Sequence, residues 1–180
     1  MRILTGGAIL LVALLTGAYA VWRAPADEGS AGGVVMAPYF EVDPLWPKPL
    51  PNHWLLGSAI GVSVDADDVV WLVHRPHTLD PTETGILQDP PIALSCCRPA
   101  PTVVRLAQDG EYLGGWGTPE TGPRVDGVNQ WPASVHGIYV DGDGTVWIGG
   151  NGDGDHAVLN FTADGEFLRA IGRREHNDGN

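Results

Sequence analysis

Apolar residues alternate with small or polar residues in two stretches of the chain that carry nearly the same motif. The first stretch covers residues 61–72 (GVSVDADDVVWL), and the second covers residues 137–148 (GIYVDGDGTVWI). In both, the alternating run ends at an Asp-rich corner, and an apolar run around a Trp follows. This pattern predicts two antiparallel strands joined by a tight turn.

Each copy continues into a second shared motif. Residues 103–113 (VVRLAQDGEYL) match residues 158–168 (VLNFTADGEFL), and both centre on Asp-Gly, a dipeptide typical of hairpin turns. Each full copy therefore predicts about four short antiparallel strands, which is the content of one β-propeller blade. Beyond the N-terminal region we find no sustained helical period, so the body of the chain is predicted to be all-β.

The two copies differ in length because of one insertion. The first motifs begin at residues 61 and 137 and the second motifs at 103 and 158, so the first copy is longer by 21 residues. The extra residues lie between His74 and Thr102 and include six prolines, which is typical of a surface loop. We predict blade copies at about 57–117 and 133–173, with a Pro-rich insertion at 75–101.

The N-terminal region has the features of an export signal. Residues 3–22 are uncharged, and Ala18-Tyr-Ala is a small-x-small cleavage pattern after an apolar core. The same run of 20 residues is long enough to span a bilayer as an uncleaved anchor. We predict a signal peptide or membrane anchor at 1–20 and a flexible spacer at 21–38. Both alternatives place residues 39–180 outside the cytoplasm, secreted or periplasmic, with membrane contact only through the anchor.

Two blade copies are fewer than a closed propeller needs. Propellers close with roughly four to eight blades, whereas this sequence supplies two copies and one further strand candidate at residues 39–42. We therefore predict an incomplete propeller of about two to three blades. A truncated or fragmentary chain is the simplest explanation, and self-association that completes the ring is the alternative. The oligomeric state stays open.

The charge balance argues against nucleic acid as a partner. The formal net charge is −12, and beyond the N-terminus the cations cluster only at Arg173-Arg174. Binding to a phosphate backbone needs clustered cations. The acidic residues mostly occupy predicted turns, where they favour solubility.

The repeated motifs resemble a known family. Gly-Ile/Val-x-Val-Asp-x-x-Gly-x-Val-Trp followed by Phe-x-x-Asp-Gly-x-Phe-Leu is similar to the NHL-repeat family of six-bladed β-propellers. Within that family, residues 61–75 and 135–138 resemble the peptidyl-α-hydroxyglycine α-amidating lyases and their bacterial relatives. The resemblance covers roughly residues 39–176 and implies NHL-type propeller blades.

The lyase resemblance implies roles for four residues. Arg75, which follows a His after the Trp-containing strand, matches a substrate-binding arginine, and His136, in a His-Gly-apolar motif, matches a zinc ligand. The backbone carbonyls of Val62 and Ile138 match two ligands of a calcium site. The resemblance thus implies zinc and calcium as cofactors. The family's remaining ligands and its catalytic Tyr belong to later blades.

Plainer roles stay open for these side chains. Arg75 is followed by Pro76 and the insertion, which departs from the lyase pattern, and it could instead form a surface ion pair with a turn Asp. His136 could instead cap a strand and hydrogen-bond to the backbone. Residues 151–155 (NGDGD) are expected to form an exposed turn, because the later positions of an EF-hand loop do not match. Three further histidines are expected to be solvated in loops: His74, His77 and His156. A metal held on the turn by His74 and His77 is the alternative.

Two functions follow from these patterns. The first is an exported propeller that binds a peptide or protein ligand and has no chemistry of its own. The alternative is the N-terminal part of a metal-dependent carbon–nitrogen lyase resembling the amidating enzymes, which would cleave peptidyl-α-hydroxyglycine to an amide and glyoxylate. That activity would need the further blades of the family.

Cys96 and Cys97 are the only cysteines of the chain, and they are adjacent. Oxidation is expected in an exported protein. A trans peptide holds neighbouring Cα atoms about 3.8 Å apart, below the usual disulfide separation of roughly 4.4–6.8 Å, so a bond between them must distort its peptide. We predict a vicinal disulfide that stiffens the insertion, with free thiols or links to another chain as the alternatives.

Four tryptophans are expected to serve packing rather than binding. Trp71 and Trp147 stand at equivalent positions of the two copies and are predicted to pack between blades. Trp46 and Trp54 lie in a Pro-rich segment before the first copy and are predicted to cover an end of the propeller.

Overall fold

The computed structural model describes residues 37–177, which consist of β-strands, turns and loops. The predicted signal or anchor at 1–20 and most of the predicted spacer lie outside the described residues. The chain divides into two compact units after Val42, and the second unit carries all the strands described below. Every helix in residues 37–177 is a single 3-10 turn, and none is long and apolar enough to cross a bilayer.

Twelve strands make up the second unit over its described residues, and most are short. In chain order they are β1 (Trp54–Leu55), β2 (Ser58–Val64), β3 (Val70–Arg75), β4 (Arg98–Pro99), β5 (Val103–Leu106), β6 (Tyr112–Trp116), β7 (Arg124–Val125), β8 (Val128–Asn129), β9 (Val135–Val140), β10 (Val146–Gly150), β11 (Ala157–Phe161) and β12 (Phe167–Gly172). The 3-10 turns are Pro51–His53, Pro76–Thr78, Gly85–Leu87 and Pro119–Thr121.

Two four-stranded antiparallel sheets dominate the fold. Blade 1 has the strand order β2-β3-β5-β6, and blade 2 has the order β9-β10-β11-β12. The other sheets are two-stranded: β1 and β4 pair in parallel, and β7 and β8 form a hairpin. These sheets confirm the predicted all-β fold class with blade-type sheets. The strand candidate at residues 39–42 forms no strand; Pro38 and Pro44 flank it, and proline has no N–H to donate to a ladder.

The two blades share one cross-strand register. Trp71 of β3 pairs with Ser63 of β2, and Trp147 of β10 pairs with Tyr139 of β9. The equivalence continues to the fourth strand of each sheet. Trp116 of β6 in blade 1 and Ile171 of β12 in blade 2 stand at equivalent positions. Because side chains of cross-strand partners lie on the same side of a sheet, each position of blade 1 has a defined counterpart in blade 2.

One aspartate holds the first corner of each blade. An Oδ1 atom, of Asp65 in blade 1 and of Asp141 in blade 2, accepts the backbone N–H groups two and four residues later. The Oδ2 atom of the same carboxylate accepts the indole N–H six residues on, from Trp71 at 2.7 Å and from Trp147 at 2.9 Å. The Asp-rich corner and the Trp of the repeated motif are therefore parts of one hydrogen-bonded unit.

The main core lies between the two blades. Trp71, Val73 and Val103 of blade 1 are buried there, as the sequence predicted for Trp71, but Trp147 lies on the other side of blade 2, and its predicted packing between blades is wrong. The side of blade 2 that faces them is apolar and almost fully buried. Its core residues are Val140, Val146, Ile148, Leu159 and Phe161. This contact fixes one blade against the other through burial of apolar surface.

Residues 43–57, which we call the strap, cover the outer half of the opposite side of blade 1. Strap side chains pack there on Val104 and Leu106, both fully buried. The apolar strap residues in this second core are Trp46, Leu50, Trp54 and Leu56. Trp46 and Trp54 therefore cover a blade face, and the expectation that they cover an end of the propeller is wrong. The repeated motifs indicate which side of a sheet a residue lies on, but the strap lies outside these motifs, so there was no such indication for it.

The strap repeats a contact that the two blades make with each other. The indole N–H of Trp46 donates to the carbonyl of Gln108 at 3.0 Å, and Trp116 of blade 1 donates to the equivalent carbonyl of blade 2, that of Ala163, at 3.0 Å. Both carbonyls belong to the Asp-Gly turn of the outer hairpin. The strap thus takes the place on blade 1 that the outer strand of blade 1 takes on blade 2.

The turn at residues 151–155 is anchored rather than exposed throughout. The Asp155 side chain is almost completely buried, and its carboxylate accepts the backbone N–H groups of Ala133, Ser134 and Gly152 at 2.7–3.0 Å. The sequence-based expectation of an exposed turn therefore fails at Asp155. Buried polar atoms need hydrogen-bond partners, and the Asp155 carboxylate finds them in backbone N–H groups. Through these bonds it connects the segment between the blades to the end of β10.

Candidate functional site

Arg75 lies at the end of β3 and bridges the two blades. Its Nε donates to the backbone carbonyl of Val135 at 2.8 Å, and one terminal nitrogen donates to Oδ1 of Asn151 at 2.9 Å. The plainer expectation was that Arg75 forms an ion pair with a turn Asp. The structure shows these two partners instead. Arg75 is half-buried, and its guanidinium serves in this structure as a clamp between neighbouring sheets.

His136 is the residue next to that clamp. It is the extra residue of a β-bulge in β9, between the pairs Gly149–Gly137 and Gly150–Val135. Bulges re-aim side chains and are common beside functional sites. The imidazole is exposed and makes no hydrogen bond within residues 37–177. Within these residues, His136 therefore does not cap a strand through a backbone hydrogen bond, which was the alternative role.

The backbone carbonyls of Val62 and Ile138 lie at equivalent positions of the innermost strands. Val62 pairs with Leu72, and Ile138 pairs with Ile148. The N–H of Val140 points away from β10, since it donates to the Ser63 side chain at 3.0 Å. Backbone groups two residues apart in a strand point the same way, so the Ile138 carbonyl lies along the same free edge. The repeated register gives Val62 the corresponding position on β2.

The donor set near these residues does not by itself fit a metal centre. Zinc sites take three or four protein ligands, and calcium takes about six to eight oxygens. The candidate positions supply one imidazole and two carbonyls, and no group of three or more His, Cys, Asp or Glu side chains in residues 37–177 is arranged to hold a metal ion. We therefore derive no chemistry through a metal from these residues.

His74 is a structural histidine that the sequence analysis assigned to solvent. It is fully buried, with Nδ1 accepting the backbone N–H of Gly57 at 3.0 Å and Nε2 lying 2.9 Å from the carbonyl of Pro101. An acceptor at Nδ1 and a donor at Nε2 define a neutral imidazole. Burial lowers the pKa of His74, although the carbonyls of Pro101 and Ala100 oppose that shift. His77 and His156 are exposed, as expected.

A cleft of about 530 Å³ lies between the Pro-rich insertion and the segment that leads from blade 1 to blade 2. Its volume is within the range of roughly 300–1,000 Å³ that is typical of ligand sites. The walls are mainly apolar, formed by Trp54, Pro76, Leu87, Pro99, Pro101 and Pro119. Side chains that carry charge or can ionise also line it: His77, Arg98 and Glu120.

The walls of this cleft are held in place by local structure. Trp54 and Arg98 are register partners in the parallel pair β1–β4, which joins the strap to the insertion. On the opposite side, Thr118 and Thr121 form a reciprocal capping box around the turn that presents Pro119. Proline fixes its own backbone angle, so much of the cleft is ordered before any ligand arrives, which lowers the entropic cost of binding.

A vicinal disulfide lies in the insertion, next to a residue of the cleft. Cys96 and Cys97 are joined to each other, and no cysteine is free. Arg98 follows directly and begins β4. The predicted vicinal pair therefore sits at the point where the insertion returns to the sheet and presents a cleft side chain.

Sequence reasoning located Arg75 and His136 but missed the cleft. Its lining residues come from three segments that are far apart in the chain, and none of them belongs to a repeated motif. The available signal was the density of proline in the insertion, which indicated a loop without indicating what the loop encloses. Comparison with protein-family models and with curated proteins found no match to this chain.

Proposed function

We propose that this chain is an exported, NHL-type propeller module that binds an extended peptide segment of a partner protein in the cleft between insertion and linker. The single observation that carries the proposal is the cleft itself, with apolar walls from Trp54 and four prolines and with Arg98 and Glu120 among its lining residues. Ligand sites are mostly apolar concave surfaces with a few polar groups that fix orientation.

The chemistry of the lining suits a peptide. The flat indole of Trp54 and the apolar ring of Pro99 offer contact area to an apolar side chain. Arg98 can donate to a peptide carbonyl and Glu120 can accept from a peptide N–H. A net charge of −12 disfavours acidic partners at long range. The expected ligand is therefore a neutral or basic segment with at least one large apolar side chain.

The test is selection of peptides from a random displayed library on the immobilised full chain, followed by titration calorimetry of the selected sequences. Leu87 and Leu94 give a matched pair, because both are exposed leucines of the insertion and only Leu87 lines the cleft. We expect Leu87→Asp to weaken binding at least tenfold and Leu94→Asp to leave it unchanged. Failure to select any peptide, or equal effects of the two substitutions, would overturn the proposal.

One observation favours the lyase-like alternative as a second candidate. The hydrogen bond from Arg75 to the carbonyl of Val135 brings the two residues of the resemblance, Arg75 and His136, to the same end of neighbouring blades. This candidate needs further metal ligands beyond those at the candidate positions. We would measure zinc and calcium in the purified chain and glyoxylate release from a synthetic peptidyl-α-hydroxyglycine. If the chain binds zinc and releases glyoxylate, His136→Ala should abolish both while His77→Ala retains both; a metal-free, inactive chain ends this candidate for residues 1–180.

A further inference from the structure

Each blade has two sides, and the repeat makes them comparable. We call the side that carries Trp71 in blade 1, and Trp147 in blade 2, the leading face. The trailing face is the other side, which carries Val62 in blade 1 and Ile138 in blade 2. Inside this chain, the leading face of blade 1 packs on the trailing face of blade 2.

This internal contact is a complete interface with both apolar and polar parts. Its core joins Trp71 and Val103 to Val140 and Ile148. The backbone N–H of Val140 donates across it to Oγ of Ser63 at 3.0 Å. This internal interface therefore shows what kind of surface each face of a blade can pack against.

Among residues 37–177, nothing packs over the inner strands of the two remaining faces. On the leading face of blade 2, Tyr139 of β9 is 61% exposed, whereas Trp71 on the equivalent face of blade 1 is 2% exposed. On the trailing face of blade 1, Val62 is 63% exposed, whereas Ile148 on the equivalent face of blade 2 is fully buried. Exposed apolar side chains on a sheet face make that face a candidate interaction site.

We infer that these two faces bind each other between copies of the chain, so that the leading face of blade 2 in one copy docks on the trailing face of blade 1 in the next. The new contact would use the same sheet faces as the interface already formed inside the chain, with Tyr139 standing in the place of Ser63. The strap occupies the outer half of the trailing face of blade 1. Docking therefore involves the inner strands, β9 and β10 of one copy against β2 and β3 of the other.

The pairing would place the Tyr139 ring near an open surface on the inner strands of blade 1. Tyr139 stands where blade 1 has the smaller Ser63, so its ring needs additional room on the partner. A depression of about 390 Å³ lies on the inner strands of blade 1, lined in part by Val62 and Leu72. An open contact of two different faces is heterologous, and it closes into a ring if the rotation per copy permits. Since propellers have about four to eight blades, a ring of two-blade units would take roughly two to four copies.

Complementation between two substituted chains tests the head-to-tail arrangement. Tyr139→Asp alters the leading face of blade 2, and Val62→Asp alters the trailing face of blade 1; both side chains are exposed, so folding should persist. In sedimentation velocity over a concentration series, the wild-type full chain should self-associate, and each variant alone should be monomeric. An equimolar mixture should form a one-to-one dimer, because each variant retains one intact face. Leu113→Asp, on the outermost strand of blade 1, is the matched control and should associate as wild type does.

Each other outcome overturns the inference. A wild-type chain that remains monomeric throughout removes the second copy as the occupant of these faces. If only Tyr139→Asp or only Val62→Asp prevents association, the contact joins two like faces instead. If neither substitution has an effect, association arises elsewhere, including through residues 1–36. A mixture that stays monomeric excludes the head-to-tail contact even when both variants are monomeric alone.

Discussion

The indole N–H of Trp147 donates a hydrogen bond of 2.9 Å to the carboxylate of Asp141. The same carboxylate accepts the backbone N–H groups of Asp143 and Thr145, so the corner and the following strand are fixed together. This bond is the largest of several effects that lower the pKa of Asp141 from 3.8 to about 2. A carboxylate that accepts several hydrogen bonds is stabilised in its charged form.

Trp147→Phe should raise the pKa of Asp141 toward 3.8, because it removes the indole donor and keeps an aromatic ring. In the wild-type protein the pKa is depressed on folding, so the stabilising contribution of Asp141 is present above about pH 4 and is lost as the pH falls toward 2. In the variant the loss should be smaller and should be complete at a higher pH, because the folded pKa lies closer to the unfolded value. Carboxyl chemical shifts followed by NMR titration measure the pKa directly. The control is Asp143→Asn, and an unchanged Asp141 midpoint in Trp147→Phe would contradict the assignment.

His74 should make stability fall on mild acidification. Its pKa is lowered in the folded protein by burial, so below an unfolded value of about 6.5 the unfolded chain binds more protons than the folded one. The stabilising contribution is therefore present above about pH 6.5 and is lost as the pH drops through the folded pKa. Urea unfolding at pH 8, 6.5 and 5.5 measures the slope.

His74→Gln should flatten that pH dependence, because an amide does not titrate. At pH 8 the substitution should also cost about 1–3 kcal/mol, since the N–H of Gly57 or the carbonyl of Pro101 loses a well-placed partner. His77→Gln, at an exposed histidine three residues away, is the control and should change neither quantity. A His74→Gln protein that retained the wild-type slope would show that another group is responsible.

The strand pattern could be predicted from sequence because the blades are built from local signals. The corner at Asp141 and the Asp-Gly turn at Gly165 each specify a hairpin within a few residues. Both patterns occur twice in the chain, which strengthens the prediction. The cleft depends instead on the parallel pairing of Trp54 with Arg98 across the whole of β2, β3 and the insertion. No local pattern encodes such a contact. His74 was misassigned for the same reason, because its two partners come from distant segments.

Gly165→Ala should destabilise the contact between blade 1 and blade 2 through steric conflict. Gly165 has a φ of 86°, and a Cβ there would lie 2.6 Å from the Trp116 ring. Gly144 has a similar φ of 76° but no atom within 4 Å of its Cβ position. Gly144→Ala should therefore cost about 1 kcal/mol from backbone strain alone, and Gly165→Ala should cost about 1–3 kcal/mol more from overpacking. Equal losses in urea unfolding would mean that Trp116 moves aside freely.

Thr102→Val should stabilise the protein. Thr102 is fully buried, its Oγ1 has no hydrogen-bond partner in the described part of the chain, and its side chain lines the cleft. Burying an unpaired hydroxyl costs about 1–3 kcal/mol, and valine fills the same volume with a methyl group. We expect a gain of about 1 kcal/mol in the free energy of unfolding, measured with urea.

Thr102→Ala separates the hydroxyl from the packing around it. Alanine also removes the unpaired oxygen, but it deletes the methyl group and leaves a small cavity, so the gain seen with valine should disappear. Because Oγ1 is buried away from solvent, the affinity for a selected peptide should be the same in Thr102→Val as in wild type. A loss of stability with valine would show that the hydroxyl has a hydrogen-bond partner, and a parallel loss of peptide affinity would place that partner in the cleft.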